Sequence, residues 1–350
     1  MQENKKLKIG ITIGDMNGVG PEIILKTFTD KRMLEFCTPI IYSSAKSLEA
    51  IKNHFKYNID FNSIKSSAQA EENKVNTVNC WNETPQINFG TKDKNIGKHA
   101  VISLKAATSD LKEDQIDVIV TSPINKDCVQ SDEFNFPGHT DYLDSEIKGS
   151  ALMLMVSGSL RIGLLTDHIP ISKIAESITK EVIENKVNTI HKTLVEDFKI
   201  SKPKIAILGI NPHSGDNGVI GSEEKTVLIP IIQQMRENNM LVFGPYSADS
   251  FFGSGQQESF DAVIAAYHDQ GLIPFKTLSF GQGVNYTAGL EKIRTSPDHG
   301  TAYSIAGKGI ADETSFKEAI FLAILTHKNR TEHQELIKGA IKEENPTKTK

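Results

Sequence analysis

The amino-acid sequence predicts an α/β protein with a largely parallel sheet. Short runs rich in Val, Ile and Leu alternate with amphipathic stretches whose apolar residues recur at i, i+3 and i+4, which is typical of βαβ units. The 350 residues suffice for two domains, and 38% of them are hydrophobic against 24% charged. A net charge of −5 and the absence of a long apolar stretch give no indication of nucleic acid or membrane as a partner.

The predicted elements follow one another along most of the chain. Strands are predicted at LKIGITI, TPIIYSS, IDVIVTSPI, ALMLMVSG, LRIGLLTDH, KIAILGINPH, DAVIAAYHD and IPFKTL. Helices are predicted at PEIILKTF, GKHAVISLKAATSDLKE, ITKEVIENKVNTIHKTLVEDF, GSEEKTVLIPIIQQMREN and ETSFKEAIFLAILTHKNR. We expect a pair of weak strands in the polar, Asn-rich stretch 53–90, and a mobile charged tail, KEENPTKTK.

A glycine-rich loop, GDMNGVGPE, follows the first predicted strand. Its glycines have the spacing G-x-x-x-G-x-G and not the G-x-G-x-x-G of a dinucleotide-binding Rossmann loop. Pro21 and Glu22 suit the first turn of a helix, where a missing N–H is tolerated and a carboxylate complements the helix dipole. A tight turn alone is an equally good reason for the glycines.

The cysteines and the first residues indicate a cytoplasmic protein. Cys37, Cys80 and Cys128 are odd in number, scattered and without C-x-x-C spacing, as expected for reduced thiols. The opening residues, MQENKKLK, lead straight into a strand without an apolar signal segment.

Three apolar runs end in a histidine, at His168, His213 and His268. The carboxyl ends of strands line the ligand crevice of an α/β sheet, so these side chains are expected to converge. Three neutral imidazoles suit a catalytic divalent metal, zinc or cobalt more than magnesium. For each histidine taken singly, capping or a core hydrogen bond remains an alternative, because each stands beside turn-forming residues.

Two aspartates adjoin these histidines. Asp167 and Asp269 are candidates to orient the neighbouring rings. Asp167 fits better as the cap of a helix predicted to begin near Ile171.

Several polar residues fit an anionic substrate. His139 and Thr140 follow a Pro-Gly turn at a predicted helix start, where backbone N–H groups favour an anion. Lys276, Asn285 and Arg294 stand among apolar residues and glycines, which favours a phosphate or carboxylate clamp. The alternative for these cations is a solvated surface with packed aliphatic stems.

Two segments resemble one dehydrogenase superfamily. Residues 298–312, DHGTAYSIAGKGIAD, resemble the adenosine-binding segment of the isocitrate and isopropylmalate dehydrogenases, and the opening loop resembles their N-terminal G-D-G-I-G-P-E. This resemblance implies an isocitrate/isopropylmalate dehydrogenase-like fold, with two α/β/α domains and an intervening cleft. The opening loop is then the start of such a fold and not of a Rossmann domain.

Five further motifs, spread with the others over residues 7–330, resemble the 4-hydroxythreonine-4-phosphate dehydrogenase family: GHTDYL, TDHIP, GINPHSGDNG, AYHDQGLIPFK and GVNYTAGLEKIRTSPDHGTA. The resemblance implies that a divalent metal (Zn, Co or Mg) is bound by His168, His213 and His268. It implies that substrate is bound by His139, Thr140, Lys276, Asn285 and Arg294. The candidates for proton transfer are Asp249 and Lys126.

The resemblance also implies a nicotinamide cofactor, NAD or NADP. The residues expected to bind it are Gly300, Thr301, Ala302, Gly307, Gly309 and Asp312. Ser304 stands where the isopropylmalate enzymes have an aspartate suited to the ribose hydroxyls, so the choice between NAD and NADP stays open. We expect a cofactor-binding domain of residues 1–135 plus 280–350, and a substrate, metal and dimerisation domain of residues 136–279.

The reaction that the resemblance implies is the oxidation of 4-phosphohydroxy-L-threonine to a β-keto acid. This product decarboxylates to 3-amino-2-oxopropyl phosphate in vitamin B6 synthesis. Family members are homodimers with the active site at the subunit interface. An alternative is a related dehydrogenase for 4-phospho-D-erythronate or 4-phospho-D-threonate.

Two alternatives lie outside this reaction class. A phosphate acyltransferase shares a two-domain α/β fold, but it needs neither the three histidines nor an adenosine segment. A sugar-phosphate binding protein without catalytic activity is usually exported, and the missing signal segment disfavours it.

Overall fold

A computed structural model describes residues 6–343 of the chain. Contacts divide the chain into a first unit, Met1–Ala151 with Gly281–Ile324, and a second unit, Leu152–Phe280 with Leu325–Lys350. The first transition therefore lies later than the predicted boundary at 135, since residues up to Ile147 pack in the core of the first unit. The chain from Leu325 onward joins the second unit, and not the first as predicted.

The strands and helices alternate as predicted. The strands are β1 (Lys8–Thr12), β2 (Thr38–Ser43), β3 (Phe61–Ile64), β4 (Val75–Asn79), β5 (Val118–Thr121), β6 (Gly149–Ser157), β7 (Leu160–Leu164), β8 (Lys204–Leu208), β9 (Leu241–Tyr246), β10 (Ala262–Ala265), β11 (Val284–Leu290) and β12 (Ile293–Pro297). The helices are α1 (Gly20–Thr29), α2 (Met33–Phe36), α3 (Ala45–Phe55), α4 (Lys94–Lys112), α5 (His139–Glu146), α6 (Ile174–Ser177), α7 (Lys180–Glu196), α8 (Ile229–Glu237), α9 (Ala248–Gly253), α10 (His268–Ser279) and α11 (Thr314–Glu343).

The first unit is a seven-stranded sheet in the order β3-β4-β2-β1-β5-β12-β11. Only β11 and β12 pair antiparallel; the other neighbours are parallel. β2 and β5 are buried along their whole length, which explains their nearly continuous apolar sequences. α4 packs on β1, β2 and β5, and its start is capped by the Asp93 carboxylate, which accepts a hydrogen bond from the Asn95 N–H.

The second unit carries the order β6-β7-β10-β8-β9. β6 and β7 are antiparallel, whereas β7, β10, β8 and β9 run parallel to one another. α10 packs on β7 and β10, and Leu272 and Phe275 enter the core of this unit. The carboxyl ends of β7, β10 and β8 therefore lie side by side.

Most predicted elements are confirmed, and the weak strands expected in 53–90 are β3 and β4. The strand predicted at IPFKTL is wrong: these residues belong to α10, where the spacing of buried Leu272 and Phe275 fits one helix face. Further elements for which the sequence analysis made no prediction are α2, α3, α9, β9, β11 and β12. Residues 344–350 of the charged tail lie outside the described residues, so the expected mobility is not addressed for them.

The predicted capping role of Asp167 is also wrong. The helical turn after it, Ile171–Lys173, has Pro170 at its cap position and no side-chain cap. The Asp167 carboxylate instead lies 3.5 Å from the Lys186 ammonium. Within residues 6–343, every helix is either too short or too polar to cross a bilayer.

The pairing of α11 with the end of α7 is expected to stabilise the second unit strongly. Arg330 binds the buried Asp197 carboxylate through two hydrogen bonds of 2.6 and 2.8 Å. Replacing Arg330 with alanine would remove both of these hydrogen bonds from a buried carboxylate, so we expect a loss of about 3–5 kcal/mol in the free energy of unfolding. The measurement is urea unfolding followed by circular dichroism.

The control for this variant is Glu332→Ala, two residues further along α11. Glu332 pairs with Lys199 in solvent, with side chains 40% and 46% exposed, so its removal is expected to cost less than about 1 kcal/mol. Equal losses in the two variants would contradict the role given to the buried pair.

Candidate active site

The three candidate metal-binding histidines follow three neighbouring parallel strands. His168 follows β7, His268 follows β10 and His213 follows β8, and these strands are adjacent in the order β7-β10-β8. Parallel neighbours end at the same edge of a sheet, so the three histidines leave the same edge of the second unit.

Hydrogen bonds tie these strand ends together. The Thr166 hydroxyl donates to the Ala266 carbonyl over 2.7 Å, which joins the ends of β7 and β10. Gln270 joins β10 to β8: its amide accepts from the Ala266 N–H over 2.6 Å and donates to the Gly209 carbonyl over 2.7 Å. Gln270 is two residues from His268, and Gly209 begins the loop that carries His213.

Two of the three histidine rings lie side by side. The ring centroids of His168 and His268 are 5.5 Å apart, and the Asp269 carboxylate lies 2.7 Å from Nδ1 of His268. Asp269 therefore orients the His268 ring, as its sequence position suggested. Residues 6–343 of the single chain contain no group of three His, Cys, Asp or Glu side chains arranged to hold a metal ion.

His213 and Asp249 interact electrostatically within the second unit. The pKa of the Asp249 carboxyl is lowered, first by the hydrogen bond of 2.6 Å from the Ser247 hydroxyl and also by the positive charge of His213 when protonated. Asp249 is therefore a carboxylate at neutral pH. Such an oxygen accepts a hydrogen bond or stabilises positive charge more readily than it abstracts a proton.

A buried arginine is the most unusual feature of the first unit. Arg294, on β12, is 3% exposed and donates to the Thr121 hydroxyl over 2.7 and 2.9 Å and to the Thr287 hydroxyl over 3.1 Å. Among residues 6–343, no carboxylate lies within ion-pair distance of its guanidinium. Burial lowers the pKa of Arg294 to about 9, so the group is still protonated at neutral pH. A buried cation without an acid partner is a strong indication of an anionic ligand.

His139, at the start of α5, lies within electrostatic reach of Arg294. The pKa of His139 is well below its usual range, first because of burial and then because of the charges of Arg294 and Lys126. Its Nε2 atom is shielded from solvent and has no hydrogen-bond partner among residues 6–343. His139 is therefore a neutral imidazole with one unused hydrogen-bonding nitrogen.

Among the polar atoms of the first unit that are buried without a partner in the described part of the chain, two belong to residues close in sequence to the threonines that bind Arg294. They are Oδ1 of Asn285 on β11 and the hydroxyl of Ser122 directly after β5. Asn285 is two residues from Thr287, whose hydroxyl binds Arg294, so both side chains point to one face of β11. A buried polar atom without a partner is costly, and a bound ligand would satisfy it.

The predicted substrate and proton-transfer residues are divided between the two units. The first unit contains Lys126, His139, Thr140, Asn285 and Arg294. The second unit contains Asp249 and Lys276 with the three histidines. Lys276 is exposed on α10, and Thr140 is half-buried next to His139 in the first turn of α5.

The opening glycine-rich loop packs on the predicted adenosine-binding segment. The Val19 N–H donates to the Thr301 carbonyl over 3.0 Å, and a Cβ added at Gly18 would lie only 2.8 Å from that carbonyl oxygen. The Tyr303 hydroxyl donates to the buried Asp15 carboxylate over 2.5 Å. Glycine is therefore needed at position 18 for close backbone approach.

The helix after that loop fixes the far end of the same segment. On α1, Glu22 accepts from the Ala311 N–H over 2.8 Å, and the Lys26 ammonium donates to the Gly309 and Ala311 carbonyls over 3.0 and 2.6 Å. Asp312 caps the start of α11 by accepting from the Thr314 N–H over 2.8 Å. The Asp312 carboxylate is thus already engaged, whereas Gly300 is exposed and faces open space.

Sequence reasoning missed several residues of these sites: Asp15, Thr121, Ser122, Thr287, Gln270 and Tyr303. Thr121 and Ser122 had a usable signal, because both are polar residues at the end of a predicted buried strand. Thr287 had none, since its role depends on the antiparallel pairing of β11 with β12, which places it opposite Arg294.

Comparisons with known proteins decide the family. The model of the family described as "Pyridoxal phosphate biosynthetic protein PdxA" matches residues 35–323. A 4-hydroxythreonine-4-phosphate dehydrogenase of Bacteroides thetaiotaomicron is 48% identical over 332 residues, 94% of this chain and 91% of the relative. This chain belongs to the PdxA family.

Other PdxA relatives bear on fold and substrate. The structure of 4-hydroxythreonine-4-phosphate dehydrogenase from Klebsiella pneumoniae superposes with a TM-score of 0.80 at 30% identity, covering 93% of this chain and 99% of that chain. A relative in Oceanobacillus iheyensis, named "Putative D-threonate 4-phosphate dehydrogenase", is 37% identical over 92% of this chain and 98% of its own length. The predicted family, fold class and oxidoreductase activity are confirmed, and PdxA membership implies a nicotinamide cofactor and a divalent metal without identifying either.

We expect the substitution Arg294→Met to separate anion binding from stability. The variant removes a buried charge that has no acid partner among residues 6–343 and loses three hydrogen bonds to two threonine hydroxyls, so its free energy of unfolding should stay within about 1 kcal/mol of the wild-type value. Inorganic phosphate should raise the melting temperature of the wild type and leave that of the variant unchanged. Differential scanning fluorimetry with and without phosphate measures both effects.

Arg161→Met is the control for that experiment. Arg161, in the second unit, donates to the Ser159 and Asp261 carbonyls over 3.1 Å each and lies 4.4 Å from the Phe198 ring centroid. This variant should lose about 1–3 kcal/mol of stability and keep the phosphate response. A normal phosphate response in Arg294→Met would contradict the anion site.

Proposed function

We propose that this PdxA-family enzyme oxidises 4-phosphohydroxy-L-threonine with NAD or NADP in a divalent-metal-dependent reaction. The β-keto acid formed loses carbon dioxide to give 3-amino-2-oxopropyl phosphate, in the synthesis of pyridoxine 5′-phosphate. The observation that carries this proposal is the buried Arg294, which has hydroxyl partners but no acid among residues 6–343.

The first unit supplies the groups that would bind an anionic and polar substrate. Arg294 and Lys126 provide positive charge, and both act on His139. His139 stays neutral and offers Nε2, while Asn285 offers an amide oxygen that lacks a donor. Thr140 and the Ser122 hydroxyl complete the set of this unit, which matches a molecule with phosphate, carboxylate, hydroxyl and ammonium groups. Lys276, of the second unit, is a further proposed substrate-binding residue.

The donor set at the strand ends fits a divalent metal. His168 and His268 already lie side by side, Asp269 orients His268, and His213 follows the adjacent strand. Imidazole nitrogens suit Zn and Co better than Mg. We assign His168, His213 and His268 as the ligands, and we propose that a homodimer completes the set, because a single chain does not assemble three donors among residues 6–343.

The bound metal would act as a Lewis acid on the substrate hydroxyl and on the carbonyl that replaces it, while the nicotinamide accepts the hydride. The chain's own residues would fix the substrate for this step. Arg294 and His139 would hold its anionic groups in a site shielded from water, which keeps the reacting carbon in register. Asp249, with its lowered carboxyl pKa, would hold a proton only briefly, so we assign it to orienting the hydroxyl beside His213.

The segment 300–312 is proposed to bind the adenosine part of the cofactor. The segment is fixed from both ends, by Asp15 and Val19 of the opening loop and by Glu22 and Lys26 of α1. Gly300, Thr301 and Ala302 would contact the cofactor through their backbone, as would Gly307 and Gly309. Asp312 would act mainly by capping α11.

A second candidate substrate is D-threonate 4-phosphate, favoured by the relative from Oceanobacillus iheyensis named for it. This molecule carries a hydroxyl where 4-phosphohydroxy-L-threonine carries an ammonium group. The Asn285 amide oxygen would accept a hydrogen bond from either group, and the bond from the charged donor is the stronger one.

The substrate test is NADH or NADPH formation by metal-stripped protein on both substrates and on 4-phospho-D-erythronate. We expect no turnover without metal, recovery with zinc or cobalt, and a kcat/KM about tenfold higher for 4-phosphohydroxy-L-threonine, because a charge-assisted hydrogen bond is the stronger by over 1 kcal/mol. Asn285→Ala should remove this preference. A wild-type preference for either hydroxy acid would move the enzyme to sugar-acid metabolism, and turnover by the stripped protein would refute the metal dependence.

The metal assignment is tested by His213→Ala. We expect turnover to fall below about 1% of the wild-type rate, because one ligand is lost, while the circular dichroism spectrum stays unchanged, because His213 is exposed. His191→Ala, on α7 of the same unit, is the control and should remain active. Full activity of His213→Ala would remove His213 from the metal site.

A further inference from the structure

Glu224 is a buried carboxylate that binds only N–H groups. It is 2% exposed, and its Oε1 atom accepts from the backbone N–H groups of Ile210 and Asn211 over 2.8 and 2.7 Å. Its Oε2 atom accepts from the Asn211 side-chain amide over 3.0 Å. Among residues 6–343, no lysine, arginine or histidine forms an ion pair with it, so backbone and amide dipoles alone compensate the buried charge.

Glu224 binds Ile210 and Asn211, at the start of the loop that follows β8 and carries His213. Five consecutive residues of this loop, from His213 to Asn217, have φ angles of 53°, 51°, 77°, 42° and 55°. Only the third of them, Gly215, is a glycine. A left-handed backbone is unfavourable for the other four, so this conformation persists only where surrounding contacts impose it.

Glu224 and the loop are fitted closely to each other. A Cβ added at Gly215 would lie 2.6 Å from Oε2 of Glu224 and 2.7 Å from the Gly221 carbonyl oxygen. Glu224 itself begins a π-helical turn, Glu224–Leu228, a rare geometry that is frequent at functional sites. The Ser214 hydroxyl adds a hydrogen bond of 3.2 Å to the Pro245 carbonyl.

We infer that Glu224 is a positioning residue that fixes His213 for metal binding. The inference rests on the proposed function, in which His213 is a metal ligand. Glu224 touches neither metal nor substrate; it acts by fixing the backbone N–H groups of residues 210 and 211 immediately before His213. The loop is then ordered during folding, so metal binding does not lose the conformational entropy of ordering it.

The substitution Glu224→Gln tests the charge and the oxygens with little change in shape. A glutamine oxygen can replace Oε1, but its NH₂ group would face the Asn211 side-chain amide, donor against donor. The matched control is Glu223→Gln. Glu223 is the neighbouring carboxylate and also accepts from the Asn211 amide, over 2.8 Å, yet it binds no backbone N–H of the loop.

The readout is cobalt binding to metal-stripped protein, followed by visible absorption and by competition with a chelator. We expect Glu224→Gln to bind Co²⁺ about 10- to 100-fold more weakly, with an altered visible spectrum, and to show the same loss in kcat/KM at limiting metal. Glu223→Gln should match the wild type within about threefold in the same titration. Wild-type affinity and spectrum in Glu224→Gln would overturn the inference.

Amide hydrogen exchange in the metal-free wild type gives a second test that does not depend on the folding of a variant. Glu224 binds the N–H groups of Ile210 and Asn211, so both should be protected before any metal is added. Rapid exchange that slows only with Co²⁺ would mean that the metal orders the loop, and the inference would be wrong. Failure of the wild type to bind Co²⁺ at all is a separate outcome, which would overturn the proposed metal site and this inference with it.

Discussion

The burial of the Arg294 guanidinium is the constraint around which the first unit is organised. A charge removed from water needs compensation, and here two threonine hydroxyls on the flanking strands β5 and β11 provide it without neutralising it. This arrangement requires β12 to lie between those strands, as the sheet order places it. It also leaves excess positive potential next to His139; burial first, and then this potential, lowers the pKa of His139 and keeps the imidazole neutral. An anion bound at the proposed site would compensate the remaining positive charge.

In the second unit, the main constraint is that three histidines distant in sequence must lie at one edge of the sheet. The carboxyl ends of parallel strands lie at the same edge of the sheet, so residues that follow different strands come to that edge even when they are far apart in sequence. The edge still needs local ties, because loops after strands are free to diverge. Thr166 and Gln270 supply ties between neighbouring strand ends, and Glu224 supplies one within the loop after β8. The Thr166 hydroxyl, the Gln270 amide and the Glu224 carboxylate thus fix the backbone from which the three histidines extend.

The sequence was sufficient for the α/β class, most helices and the strand-end positions of the three histidines, because each has a local signature. Apolar periodicity identifies α4 and α7, and a polar residue after an apolar run marks a strand end. The helical conformation of IPFKTL was not accessible in this way, since a short apolar run fits a strand as well as a helix. Thr287 and Glu224 were missed for another reason: each acts on a partner that only the tertiary structure brings near. The same holds for Tyr303 and Asp15, which are separated by most of the chain.

The first unit is assembled from two stretches of chain, and this has a consequence for biosynthesis. On the ribosome, β5 emerges long before β12, and the interval between residues 121 and 297 takes roughly 10 to 35 seconds at typical translation rates. Until β12 arrives, the nascent sheet presents β5 as an open edge, the kind of surface that chaperones protect from aggregation. The opening loop and α1 likewise cannot form their hydrogen bonds with residues 301–311 until that segment has been synthesised. A polypeptide released early would therefore lack the proposed cofactor segment altogether, so only a nearly completed translation product can acquire the proposed binding activity.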